Sequence, residues 1–475
     1  MKWIKMRYLA LTLLILLVTG CKNFVETESN IPPAPPDPAE VLEAVIYALA
    51  EQYGQGYDRY ASIFVQHCTS PVGIARDLGC YQLRNEFFNT DFEQMYTPVF
   101  SYLRTLLETA IEKEKPHYAG VAQILTAAGL GKLTDTYGDI PWTEALQREI
   151  IAFPKYDTQE EIYHEIQRLL SDAIINLNAP TTSDLLPGDP IYKGDIRKWK
   201  AAAYALKARY YNHLSKRYPA QSAADVLAAI DQARALGFEE YWDMELIHDG
   251  LQSSNSWKEA VESENIVGAN GFIQNLIENE DPRLAAYFQE VSPGVYKGRS
   301  VHCFDGEEEE YSGLNPNGYF TRSTSPTPFI NYFELLFIEA EAAFRAGDLH
   351  RAATVHNLAV IASIRKVVDV SSEDVQLKVE QYCNRFAAEQ ASSITLGKIM
   401  HEKYKAMFTR GIETWVDLRR HNFRYPHYLN IPLNASHQPL GTDYIRRVLY
   451  PLSELQLNPE NTPNAGIFER MWWDR

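Results

Sequence analysis

From Ala39 onward the apolar residues recur at helical rather than strand spacing. Val41, Leu42, Val45, Ile46 and Leu49 fall on one face of a first segment, the steps of an amphipathic helix. Asp91 to Lys113 and Tyr118 to Thr134 read as a helical pair. Thr158-Gln-Glu-Glu161 has the form of a capping box, and Ile162, Ile166, Leu169, Leu170, Ala173 and Ile174 follow it at helical spacing. Asp195 is placed to cap a long helix to about Arg217, carrying Trp199, Ala203, Leu206 and Tyr210. Ser222 to Leu236 is another helix, stopped by Gly237.

The pattern breaks between Glu240 and Thr327, where Gly, Pro, Asn, Ser and aromatics crowd together with little periodicity outside Asn270 to Ile277. So many aromatics argue against a disordered linker, and ordered loops with short hairpins are expected. Helices resume at Pro328. Phe333, Phe337, Ala340 and Phe344 form one stripe, Gly347-Asp348 interrupts, and Ala352, Val355, Ala359 and Ala362 line the next helix. Met400, Tyr404, Met407 and Phe408 mark another, then Trp415 and Leu418; the tail with Pro451, Pro459 and Pro463 reads as extended. Antiparallel helices with small residues at the contact resemble tetratricopeptide units. The segments 333–362, 199–236 and 118–177 give three such pairs at irregular period. The expected fold is mainly α: tetratricopeptide-like helix pairs forming a helical scaffold, decorated by long ordered loops with little β. It occupies residues 39–475, with the loop-rich insertion at about 240–327.

The N-terminus follows another rule. Lys2, Lys5 and Arg7 lead into an almost unbroken apolar run from Leu9 to Val18, the form of a secretory signal peptide over residues 1–20. A permanent membrane helix needs roughly 20 apolar residues, more than this run supplies. Val18-Thr19-Gly20-Cys21 resembles a bacterial lipobox, which makes Cys21 the expected lipidation site. Residues 21–38 then form a tether, since Ile31-Pro-Pro-Ala-Pro-Pro-Asp-Pro38 favours an extended chain. The acyl chains alone would supply membrane affinity.

Charge and cysteines narrow the class. The formal net charge is −17, and removing Lys2, Lys5 and Arg7 takes it to −20, which speaks against nucleic acid and anionic membrane surfaces as partners. Of five cysteines, four remain once Cys21 is lipidated, and four thiols allow three complete pairings. Cys68 and Cys80 lie in one irregular stretch where a local bond is possible, though nothing in the sequence requires it.

For catalysis the chain offers neither a Gly-x-Ser-x-Gly elbow nor a His-Glu-x-x-His helix. His302-Cys303-Phe-Asp305 with Glu307 to Glu310 admits a structural Ca2+ loop, but four consecutive glutamates read better as a solvated acidic loop. Glu402 and Glu413 are conceivable paired acids for glycoside hydrolysis; beside Lys403, Lys405, Arg410 and Arg419, ion pairs are the better reading. No catalytic residue, metal ligand or cofactor is assigned, and a non-enzymatic binding protein is expected. A sugar presents an apolar face and a hydroxyl rim, which Tyr and Trp match with a flat ring and a polar handle. Such aromatics mix with polar residues in His67–Asp91 and in the 240–327 insertion. Tyr81, Arg84, Phe87, Trp242, Trp257, Tyr311 and Tyr319 are the candidate ligand residues. Core packing is the competing reading for each aromatic.

Several blocks carry a resemblance. They are Asp135-Thr-Tyr-Gly-Asp-Ile-Pro-Trp-Thr-Glu-Ala-Leu146 with Pro154-Lys-Tyr-Asp157, Tyr192-Lys-Gly-Asp-Ile-Arg-Lys-Trp199 and Asp281-Pro-Arg-Leu284. Glu334-Leu-Leu-Phe-Ile-Glu-Ala-Glu341, Gly411-Ile-Glu-Thr-Trp-Val-Asp-Leu-Arg-Arg420, and Leu449-Tyr-Pro-Leu-Ser-Glu454 with Asn458-Pro459 complete the set. In this order, behind a lipobox, the chain resembles the SusD/RagB family of nutrient-binding outer-membrane lipoproteins. The resemblance implies a lipid-anchored protein of the outer membrane facing the cell exterior. It also implies a partner, a TonB-dependent transporter barrel of the SusC type, to which an oligosaccharide, or alternatively an oligopeptide, is delivered. A surface glycosidase and a purely structural helical scaffold are the rival readings. The blocks themselves suit structural work: Tyr137 to Trp142 as a turn whose aromatics fill a gap between helices, and Trp415 to Arg420 as a helix end with one packed and one solvated or salt-bridged face.

Overall fold

The helix Pro116–Tyr137 is the axis of the molecule: every residue from His117 to Tyr137 is buried. A helix enclosed on all sides needs small residues where neighbours approach, and this one has Gly120, Gly129 and Gly131 against Leu177, Phe100 and Tyr210. Its one buried lysine, Lys132, is neutralised by Asp58 at 2.5 Å. In the computed structural model the described residues are 36–147, 150–180, 186–263, 265–303 and 310–475. Residues 1–20, Cys21 and most of the 21–38 tether lie outside them. Pro38–Arg475 forms one compact unit, and no helix among the described residues is long and apolar enough to cross a membrane.

Three helix pairs build the scaffold, mostly with the expected start and stop signals. Pro116–Tyr137 packs along Gln159–Asn178, Ile196–His213 along Pro219–Leu236, and Tyr332–Ala346 along Leu349–Val367. Thr158 and Glu161 exchange both bonds of the capping box, and the Asp195 carboxylate takes the amides of Arg197 and Lys198. Gly237 and Gly347 end their helices at φ 99° and 83°, the left-handed conformation that glycine adopts without a Cβ penalty. The fold is mainly helical, with tetratricopeptide-like pairs carrying long loops.

Four local expectations change. The segment predicted as one helix from Asp91 to Lys113 contains a π turn at Met95–Phe100 between Asn89–Gln94 and Ser101–Glu112; Pro98 has no amide for the regular ladder. The helix after Asp195 stops at His213, four residues short of Arg217, because the chain turns into a new helix that begins with Pro219. Helices resume at Tyr332 rather than Pro328, since Thr327–Ile330 is a strand paired with Met244–Leu246. The Met400–Leu418 stretch is two helices, Leu396–Ala406 and Gly411–Arg420, with Thr409 at φ 68° in the corner. A second two-stranded pairing joins Cys68–Thr69 to Val267–Gly268. Both small sheets fasten the 240–327 insertion to the scaffold.

Of the two alternatives for the charged face of this helix end, solvated or salt-bridged, the structure shows the second for Arg420, and both Arg419 and Arg420 are buried. Arg420 pairs with Glu341 at 2.7 Å and with Asp417. Arg419 lies 3.9 Å from the Trp415 ring centre and donates to the carbonyls of Asp135 and Arg446. Burial pulls its pKa down to about 10. The Tyr137–Trp142 turn does fill a gap: Trp142 packs edge-on to Phe100 at 5.4 Å, and Asp157 takes the amides of Trp142 and Thr143.

Candidate functional site

The short helix Gly73–Gly79 ends in a tight turn, and the turn carries the first group of predicted site residues. Gln82 N–H reaches back to the Asp77 carbonyl and Tyr81 N–H to that of Leu78, forcing Tyr81 to φ 56°. Cys80, inside this turn, is bonded to Cys303, 223 residues away. The local Cys68–Cys80 pairing therefore does not form: Cys68 is a buried free thiol on a strand, and Cys383 is also free. The disulfide pins the turn to the 297–303 segment, which is held in turn by the Leu433 carbonyl through Cys303 N–H.

Arg84 and Phe87 form the exposed part of this surface. The Arg84 side chain is 64% exposed, lies 3.4 Å from Asp77 and sits 4.5 Å from the Phe87 ring centre. Phe87 is half-buried and packs edge-on to the buried Phe88. Tyr81 is half-buried, its ring 5.9 Å from Phe468. Burial pushes its phenol pKa up. A guanidinium spread over a ring beside a second aromatic is a surface that can meet a sugar face and bond its hydroxyls.

The other predicted residues do not join this group. Tyr311 is half-buried with the Lys297 ammonium 5.4 Å from its ring centre, on the strand-like pairing of Lys297 with Ser312. Tyr319 belongs to a third place, beside Phe320 and the Lys366 ammonium at 5.3 Å. Lys366 there holds Asp243 at 2.6 Å and Glu245 at 2.9 Å. Burial first, and then the neighbouring Asp243 charge, raise Glu245 to about 7. Trp242 adjoins that cluster through Asp243, half-buried under Arg197 and Lys198 at 5.1 and 5.4 Å. Trp257 is only 3% exposed. It lines a cavity of about 10 Å³ with Tyr53 and Phe320, so its ring is core and offers no face to a polymer. Among the described residues no group of three or more His, Cys, Asp or Glu could hold a metal ion. Residues 304–309 of the suggested Ca2+ loop lie outside them.

Glu402 and Glu413, considered above as paired acids, are enclosed in ion pairs. Glu402 meets Arg283 at 2.9 Å and also Lys405. Glu413 meets His213 at 3.1 Å and Arg209 at 3.5 Å. Despite burial, which opposes ionisation, those cations hold both carboxylates below the usual range. Neither is a poised proton donor.

One feature escaped the sequence reading altogether. A cleft of about 300 Å³ lies between the start of the Gln159–Asn178 helix and the tail, walled by Asp139, Arg447, Glu469, Arg470 and Trp472 among others. Trp472 is half-buried, with the Arg217 guanidinium 4.7 Å from its ring centre. These residues come from four separated stretches, so no spacing rule links them; the Trp472-Trp473 pair was the one available signal.

Comparison with known proteins identifies the family and the fold. The chain matches the SusD-like family, described as starch-binding and associating with the outer membrane, over residues 31–451. No curated protein matches the sequence. Among solved structures, a chitin-binding protein superposes with a TM-score of 0.76 at 24% identity, covering 92% of this chain and 100% of its own. A SusD/RagB family protein from Bacteroides thetaiotaomicron gives 0.77 at 22%, covering 92% and 99%. A chitin-binding SusD homologue from Flavobacterium johnsoniae gives 0.73 at 22%, covering 92% and 97%.

Proposed function

Because the chain belongs to the SusD-like family, we propose that it is a cell-surface lipoprotein, anchored through Cys21, that binds an extracellular oligosaccharide without transforming it and delivers it to a partner TonB-dependent transporter. The family match over residues 31–451 carries this reading. The family description names starch, and two structural neighbours are described as binding chitin, so a neutral polysaccharide is the favoured ligand class.

The Tyr81, Arg84 and Phe87 surface is the first candidate for contact. Its exposed guanidinium and adjoining rings suit a pyranose, and the Cys80–Cys303 bond ties the turn to the insertion. Tyr311, Trp242 and Tyr319 are the candidates for further contact. Modest affinity at such a surface is enough when a partner keeps the ligand nearby and raises its effective concentration.

A glycan array probed with the full chain in detergent tests this reading. Retention of at least one glycan is expected, with roughly tenfold or greater loss in Arg84→Ala and Phe87→Ala, corresponding to about 1.4 kcal/mol. An array that stays blank would remove the proposal. Radiolabelled palmitate that incorporates into wild type but not into Cys21→Ser is expected for the anchor.

A further inference from the structure

The tail cleft has the chemistry of a ligand site and shares no residue with the surface just described. Arg447, Arg470 and Arg475 share its walls with Asp139, Glu160 and Glu469, so formal charges cancel. A charge-balanced wall gives an ion no net attraction, but it presents donors and acceptors together. Hydroxyl groups use both kinds. Trp472 adds a flat apolar ring, half-buried beside Arg217, Tyr163 and Tyr218. The volume of about 300 Å³ sits at the lower end of small-molecule sites, which run to about 300–1,000 Å³.

Part of the lining is fixed. Gln159 and Arg447 both line the cleft and are 1% and 7% exposed. Their unpaired Oε1 and Nε atoms are closed to solvent, so a guest meets first the exposed Asn464, Glu469 and Arg475. The rest of these side chains is firmly held: Gln159 Nε2 donates to the Thr134 carbonyl at 2.8 Å, and Arg447 Nη2 to the Tyr450 hydroxyl at 2.9 Å. The walls are therefore built before any guest arrives.

We propose that this cleft is a second saccharide subsite, taking one uncharged pyranose unit of the same glycan, with Trp472 as its platform and the arginine–carboxylate walls as hydroxyl partners. It rests on the reading of the protein as a glycan binder. Phe468 touches Tyr81, and the next residue, Glu469, lines the cleft; adjacent Cα atoms are about 3.8 Å apart. The two places thus meet at neighbouring residues of one chain segment. A polysaccharide engaging both gains from the second contact as an intramolecular event, so affinity rises with chain length.

The test is an array of neutral and acidic glycans with the full chain in detergent, followed by calorimetric titration with the trimer and hexamer of whichever neutral glycan is retained. Wild type is expected to bind the hexamer about tenfold or more tightly than the trimer, and Trp472→Ala to lose that gain. Asn464→Trp, which fills the cleft from its exposed rim, is expected to do the same and guards against a folding defect in the first variant. If both variants keep the full hexamer affinity while Phe87→Ala loses it, the cleft is not a subsite and the glycan-binding reading survives. If only acidic glycans are retained, the proposed ligand class is wrong. A blank array overturns both proposals.

Discussion

Arg209 grips Glu334 in the core, its Nε and Nη2 donating to the two carboxylate oxygens at 2.6 and 2.8 Å. The pair fastens the Ile196–His213 helix to the Tyr332–Ala346 helix, so it joins two of the three helix pairs. Two bonds to one carboxylate fix orientation as well as distance, and Nη2 continues to the Phe329 carbonyl at 2.6 Å. Glu334→Ala leaves the guanidinium enclosed with Glu413 at 3.5 Å as its remaining ionic partner. Urea unfolding is expected to show a loss of about 3–5 kcal/mol. The double variant Arg209→Met, Glu334→Leu should recover much of it, because an apolar pair of similar volume needs no compensation.

His213 provides the pH signature. Its imidazole sits 3.2 Å from Asp135 and 3.1 Å from Glu413. Burial alone would lower its pKa, but the two carboxylates raise it to about 9. The unfolded chain releases this proton near 6.5 while the folded chain keeps it to about 9. Stability from this group is thus complete below about 6.5 and declines as pH rises through 9. The decline is on the order of 3 kcal/mol at one tenfold step of equilibrium per pH unit. Chemical denaturation across pH 6 to 10 should show it, and His213→Gln should flatten that part of the profile.

Thiol chemistry separates the cysteines. Cys68 and Cys383 are free and Cys80 and Cys303 are bonded, so a Cys21→Ser chain unfolded without reductant should titrate two thiols, and four after reduction. Burial raises the pKa of both free thiols. Cys383 is half-buried and Cys68 fully buried, so an alkylating reagent should reach Cys383 in the native protein and Cys68 only on unfolding.

Gly131 tests the central helix. A Cβ built there runs into the Tyr210 ring and hydroxyl, and Tyr210 is itself buried. Gly131→Ala is expected to destabilise by about 1–3 kcal/mol through overpacking, although alanine is the better helix former. Adding Tyr210→Leu should restore a large part of the loss, measured as a shift in the unfolding midpoint.

What could be read ahead of the structure was what one turn of chain decides. The Thr158–Glu161 box, the Asp195 cap and the glycine stops at 237 and 347 each depend on residues within a few positions, and each lies where the pattern puts it. Burial of an individual loop aromatic is not local. Trp257 looked like a loop residue with polar neighbours, yet those neighbours, Asn255 above all, turn inward to the carbonyls of Ser325 and Pro326. For Arg419 and Arg420 the sequence left solvation and salt bridging both open, because nothing nearby announces that Glu341 and the Asp135 carbonyl will meet them. The cleft at Trp472 is the extreme case, since its walls are gathered from four stretches far apart in the sequence.

The bond between Cys80 and Cys303 has a practical consequence for handling the molecule. In recombinant protein made in a reducing bacterial cytosol the Tyr81 turn would lose the disulfide that ties it to the insertion. Affinities measured on such material would describe a slackened surface. Periplasmic production, or refolding under a glutathione couple, is the preparation that preserves the bonded turn.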